Sequence, residues 1–165
     1  MDVAEIHREL REKFGNAVSA ELKLGDWSSC DIEPTRIAEV CRYLRDAPHL
    51  RFDCLSNLSA VDRKADDRIE VYYHLLSYQC GHRLVLRAAA SRPDPVLPTV
   101  SHLWPIANWL EREAFDLMGV QFPGHPDLRR ILMPEDWVGH PLRKDFVEPE
   151  EYHGISTRRE SLLKL

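Results

Sequence analysis

Ile69-Glu70-Val71-Tyr72-Tyr73-His74-Leu75, followed beyond Gly81 by His82-Arg83-Leu84-Val85-Leu86-Arg87-Ala88, decides the fold. In both runs apolar residues recur at alternate positions, the period of a strand that buries one face. Gly81 supplies the backbone freedom of a hairpin turn, and the acidic stretch Asp62–Asp67 reads as a second turn. The residues ahead of it read as a further strand. Strands predicted over 51–61, 68–78 and 82–90, joined by short turns, form an antiparallel meander.

Toward the N-terminus, Val3, Ile6, Leu10 and Phe14 stand at helical spacing over 3–14, and Gly15-Asn16 ends that helix. Val18, Ala20, Leu22 and Leu24 alternate with polar residues and predict a strand over 18–24. Pro34 opens a second helix, whose buried stripe is Ile37, Val40, Cys41 and Leu44 and whose end is Ala47-Pro48. Toward the C-terminus, Arg92-Pro93-Asp94-Pro95 stops the strand pattern. Ser101 is placed to cap a helix running to Gly119, with Pro105 in its first turn and Leu103, Ala107, Leu110, Ala114 and Leu117 as its apolar stripe. Beyond Gly119, Pro123, Pro126, Pro134, Pro141 and Pro149 recur too often for long regular elements. The expected organisation is therefore an α+β domain over 1–119 and a proline-rich extended tail over 120–165, packed on the domain and on a partner. Helix, strand, helix, strands, helix is the order of a two-layer α+β fold, with helices on one face of a mostly antiparallel sheet.

The 165 residues suit one domain with a tail, and a 44% hydrophobic fraction is enough for a real core. A formal charge of -5, from 22 basic and 27 acidic residues, argues against a general nucleic-acid binder. Arg129-Arg130 and Arg143-Lys144 are the candidates for a local basic patch. No run approaches the ~18 apolar residues of a membrane span, and the N-terminus lacks the pattern of a signal peptide. A cytoplasmic protein is expected, with any membrane contact made through a partner. Cys30, Cys41, Cys54 and Cys80 form no C-x-x-C pair and have no His at ligand spacing, so they read as free, mostly buried thiols.

Charges crowd the end of the last predicted helix, in Trp109-Leu110-Glu111-Arg112-Glu113-Ala114-Phe115-Asp116-Leu117-Met118-Gly119. On a helix Glu113 and Asp116 share a face and Arg112 reaches Asp116. Paired carboxylates can act as acid and base, but the plainer reading is an ion-pair network that fixes the helix end to the loop after it. His125 and His140 each sit in Gly-His-Pro, with no second His at i+4 and no H-E-x-x-H, and read as loop residues bonded to backbone. There is no G-x-S-x-G elbow, and the 7 glycines form no phosphate loop. Trp104 and Trp109 are expected in the core, while Trp137 suits core or interface equally. An independent hydrolase using Glu113, Asp116 and His125, and a metal-binding module, are the readings that need no partner.

The string from Ala107 to Gly119, the six-residue step to His125, Arg129-Arg130-Ile131-Leu132, and Met133-Pro134-Glu135-Asp136-Trp137-Val138-Gly139-His140-Pro141-Leu142-Arg143-Lys144-Asp145-Phe146 together resemble the 30-kDa subunit family of respiratory complex I. In bacteria this is the C subunit of NADH–quinone oxidoreductase. The likeness covers 99–146 closely, through charge, glycine and proline positions; the N-terminal part agrees only in element order and length. It implies a hydrophilic subunit of the peripheral arm, on the cytoplasmic face of the inner membrane, with no catalytic site, flavin, iron–sulfur cluster or metal of its own. FMN and the clusters belong to other subunits of the enzyme. Its implied partners are chiefly the 49-kDa (D) subunit, with B and I as further neighbours. The length matches the form not fused to the 49-kDa component. Glu111, Arg112, Glu113, Asp116, His125, Arg129, Arg130, Trp137, His140, Arg143 and Lys144 are expected to form or brace the partner interface. The equivalent subunit of a related membrane-bound hydrogenase or ferredoxin-driven dehydrogenase is the nearest alternative.

Overall fold

The structure, a computed structural model, describes residues 3–24 and 27–157, and of residues 20–24, 27 and 28 the backbone alone. Helix α1 spans Val3–Phe14, and strands β1 and β2 span Val18–Leu24 and Trp27–Ile32. Helix α2 (Ile37–Asp46) follows a 3-10 turn at Pro34–Arg36. Then come β3 (Cys54–Arg63), β4 (Arg68–Leu76), β5 (Arg83–Ser91), α3 (Ala107–Met118) and a two-stranded hairpin, β6 (Glu151–Tyr152) with β7 (Ile155–Ser156). The first five strands make one sheet in the order β1-β2-β5-β4-β3.

The expected meander is present, with β3–β4 and β4–β5 antiparallel. Strand β2 has no counterpart among the predicted elements. It pairs antiparallel with β1 and parallel with β5, so the sheet is mixed at that one seam. Parallel pairing needs a long crossover, here everything from α2 to β4, and no local pattern in Trp27-Ser28-Ser29-Cys30-Asp31-Ile32 announces it.

One face of the sheet carries the hydrophobic core. Ile69, Val71, Tyr73 and Leu75 on β4 stand opposite Ala90, Ala88, Leu86 and Leu84 on β5, and all belong to the core cluster. Ile6 and Leu10 of α1, the four predicted residues of α2, and Ala107, Ala114 and Met118 of α3 pack into the same cluster. Strand β3 reaches it through Leu55 and Leu58, three positions apart, because a bulge between Leu55 and Asn57 resets the alternation. The alternation expected of Ala20, Leu22 and Leu24 falls outside the described side chains.

Helix α3 starts at Ala107, five residues later than Ser101 as its cap implied. Ser101 does not cap it, since its hydroxyl bonds Thr99 (2.8 Å) and the 99–104 segment turns on Val100, whose carbonyl accepts the N–H groups of Leu103 and Trp104. Beyond α3 the chain first enters the core through Val120 and Phe122, both essentially unexposed. Gln121 bridges to the strand-like segment at Val96, its N–H donating to Pro95 (2.7 Å). From Pro123 to Thr157 little is regular; residues 158–165 of the predicted tail lie outside the described residues.

Candidate functional site

The C-terminus of α3 organises the signature. Gly119 ends the helix at φ 75°, and Val120 N–H returns to the Ala114 carbonyl (3.4 Å), which turns the chain back under the helix. A helix leaves its last carbonyls unpaired and its end partially negative. The tail answers with cations and N–H donors. His140 Nδ1 donates to the Asp116 carbonyl (2.9 Å), Leu142 N–H to that of Leu117 (3.0 Å), and Arg143 Nε to that of Met118 (2.8 Å). Only glycine fits at 119: a Cβ there would stand 2.6 Å from His140 Nε2 and 3.0 Å from an Arg143 nitrogen.

Asp116 is the pivot. It is fully buried, and its Oδ2 accepts three successive main-chain N–H groups, Ile131 (3.0 Å), Leu132 (2.7 Å) and Met133 (2.9 Å). Its Oδ1 takes the Arg130 guanidinium at 2.6 Å. Burial alone would push this carboxyl up. The N–H groups of Met133 and Leu132, the Arg130 guanidinium and the Ile131 N–H together outweigh it and hold the group below the ordinary carboxylate range. The second Arg130 nitrogen donates to the carbonyls of Trp137 and Gly139, each at 3.0 Å. One buried ion pair thus folds residues 130–139 against the helix end.

Three further contacts secure the loop. Arg112 lies over the Trp109 ring, 5.0 Å from its centroid, and donates to the Arg129 carbonyl (3.2 Å). The His125 side chain is wholly enclosed; Nε2 donates to the Asn108 carbonyl (3.1 Å) and Nδ1 accepts the Asp127 N–H (3.0 Å), an arrangement that fixes one neutral tautomer. Asp62 of β3 takes Arg92 through both oxygens (2.8 and 2.9 Å) and also accepts the Lys144 N–H (2.8 Å), while Arg92 reaches on to Asp145. The Arg92 hydrogen bonds hold Asp62 down at about 2. Arg92 and Asp62 escape sequence reasoning because their partner lies more than fifty residues downstream of Arg92 and no periodicity links them.

Glu111 serves the other end of the helix. It is fully buried, its carboxylate accepting the Thr99 hydroxyl (2.5 Å) and the Val100 N–H (2.7 Å). It therefore holds the turn that displaces the start of α3. Burial pushes its carboxyl up to about 7 against those two bonds.

Several expectations are corrected. Arg112 does not pair with Asp116; the main-chain N–H groups and Arg130 occupy that carboxylate, and Arg112 turns to Arg129 and Asp127. Glu113 is exposed and Asp116 buried, so they do not form an acid–base pair. The hydrolase reading fails on the same geometry, because Asp116 is buried among its own donors while Glu113 is exposed, and both His125 nitrogens are engaged. Trp104 is in the core, its indole N–H on the Phe52 carbonyl (3.1 Å), but Trp109 is 57% exposed. Trp137 stands between, against Phe146 and Tyr152. The supposed basic patch does not gather, since Arg130 and Arg143 turn inward to carbonyls while Arg129 pairs with Asp127 (3.0 Å). None of the four cysteines is in a disulfide, two of them being buried and two half-buried, and among the described residues no three His, Cys, Asp or Glu converge as metal ligands.

A family model described as "Respiratory-chain NADH dehydrogenase, 30 Kd subunit" matches residues 30–152. The NADH-quinone oxidoreductase C subunit of Roseiflexus castenholzii is 52% identical over 110 residues, 66% of this chain and 63% of that protein. The corresponding C subunit of Chlorobium phaeobacteroides is 43% identical over 148 residues, covering 88% of this chain and 89% of the relative. Among solved structures, a trypsin-resistant fragment (1-134) of Nqo5 superposes with a TM-score of 0.66 at 29% identity, covering 78% of this chain and all of the fragment.

Proposed function

The chain belongs to the respiratory-chain NADH dehydrogenase 30 Kd subunit family, and from that premise we propose that it is a non-catalytic peripheral-arm subunit of a proton-translocating NADH–quinone oxidoreductase. Its work is mechanical. Electron transfer depends on fixed spacing between redox centres, so a rigid brace between subunits has functional value without chemistry of its own. The FMN and iron–sulfur clusters of the enzyme are carried by other subunits. The principal neighbour in this reading is the 49-kDa (D) subunit, with B and I beyond it. The assembly sits on the cytoplasmic face of the inner membrane, and among the described residues no helix is long and apolar enough to cross one.

The observation that carries this reading is how the signature spends its charges. Glu111, Arg112, Asp116, His125, Arg130, His140 and Arg143 each direct polar atoms into the chain itself. They brace the surface. Glu113, Arg129 and Lys144 are exposed, and so are apolar side chains that water does not favour: Trp109, Leu132 at 59% exposure, Val138 at 82% and Val147 at 84%. A rigid polar frame presenting exposed apolar groups is the anatomy of a docking surface. In this reading Trp137 anchors the loop beneath it.

Affinity purification of the chain from its native host, with mass spectrometry of the co-eluting proteins, tests the proposal. Recovery of flavin- and cluster-bearing subunits is expected. A clean monomer under gentle conditions would overturn it.

A further inference from the structure

Strand β3 is one edge of the sheet, so every second residue turns its N–H and carbonyl away from β4. From Asn57 to Val61 no hydrogen bond reaches that outer row among the described residues. Proteins usually guard such an edge with charge, proline or a bulge. Here the guards stand only at the ends: the bulge at Leu55–Asn57, and Asp62 under Arg92 and the Lys144 N–H. Asn57-Leu58-Ser59-Ala60-Val61 between them carries no charge and no proline.

Helix α3 runs beside this edge. Between the two lies a groove of about 250 Å³, with Leu58, Ala114 and Met118 in its floor and the half-exposed Leu117 and exposed Leu142 on its rim. Glu113 also lines it, exposed and with no ion pair or hydrogen bond to any described residue.

We propose that this groove receives an extended segment of a partner subunit, which adds to β3 as a sixth strand of the sheet. An extended main chain is the ligand that matches an unpaired row of alternating donors and acceptors. The apolar floor selects a segment with an aliphatic residue facing α3. Unpartnered Glu113 selects a lysine or arginine beside it, since a carboxylate at a buried interface needs a counter-charge. The inference rests on the reading of this chain as an assembly subunit and names the chemistry of its neighbour.

Hydrogen exchange at single-residue resolution, on the free full-length chain and on the complex purified from its native membrane, tests it. Alternate amides within Asn57–Val61 should slow by about tenfold or more on assembly, while the intervening amides, already bonded to β4, stay unchanged. A photo-crosslinking residue at Asn57 should label one contiguous segment of another subunit that contains a basic residue. If the chain is present in the complex but these amides exchange as in the free chain, or slow without alternation, strand addition is wrong and the assembly reading stands. Cross-linking to a second copy of this chain would overturn the choice of occupant. Recovery of the chain with no other subunit would overturn both.

Discussion

Asp116→Asn is the most searching substitution. It keeps the volume and one carbonyl oxygen, which can still face the N–H groups of Ile131, Leu132 and Met133. The amide nitrogen must then occupy the other oxygen's place, 2.6 Å from an Arg130 nitrogen, donor against donor. Breaking one side of a buried ion pair costs ~3–5 kcal/mol. Arg130 keeps 15% of its side chain in water, so the lower end, about 3 kcal/mol, applies. That energy holds residues 130–139 on α3, and its loss appears as local opening ahead of global unfolding. Trypsin reads the open population at Arg129–Arg130. A 3 kcal/mol shift corresponds to about a hundredfold faster cleavage there, with far-UV circular dichroism unchanged. Glu113→Gln, on an exposed residue with no partner among the described residues, is the control and should leave cleavage as it was. If Asp116→Asn is cleaved within about twofold of the parent at that site, the carboxylate does not hold the loop and the clasp has been misread.

Glu111 predicts a pH dependence of the opposite kind to a paired acid. Its folded carboxyl, at about 7, holds its proton more tightly than the ordinary value of 4.5. Its contribution to stability is therefore greatest below 4.5 and falls as pH rises toward 7, by about 3 kcal/mol in all. Glu111→Gln should flatten that slope, measured as urea midpoints at acid and alkaline pH; an unaltered slope would assign it elsewhere. Gly119→Ala forces a side chain into left-handed backbone and onto His140, and should cost about 2 kcal/mol, a fall of about 6 °C in Tm. An unchanged melting curve would mean that His140 and Arg143 are not fixed there. Trp109→Ala should change the stability of the free chain by less than about 1 kcal/mol, because the ring is exposed, yet weaken assembly by about tenfold or more. Normal recovery of the complex with this variant would remove Trp109 from the interface.

The strands were legible where one face is buried and the other polar. That condition holds for β4 and β5, whose observed bounds differ from 68–78 and 82–90 by one or two residues. It fails for β2, which is defined by its parallel partner, whereas β3, predicted over 51–61, is found at Cys54–Arg63 with a bulge that breaks its period. Gly119 was readable as a helix terminator because left-handed backbone favours glycine locally. Its second reason, the closeness of His140, was invisible. The spacing of Arg112 and Asp116 permitted an ion pair within the helix. It did not show that three N–H groups and Arg130 would compete for the same carboxylate and win. Trp109 illustrates the same limit, since hydrophobicity assigns it to a core and only the placement of the helix leaves it in water.

By itself the sequence determined the α+β class, the helix that carries the signature, and the family, because these follow from periodicity, glycine and proline positions, and motif spacing along the chain. Tertiary structure alone decided which charge meets which, which tryptophan reaches solvent, and which strand is left at the edge. Those outcomes turn on competition between groups far apart in the chain for the same buried donor or acceptor, and such competition is settled by distance in space.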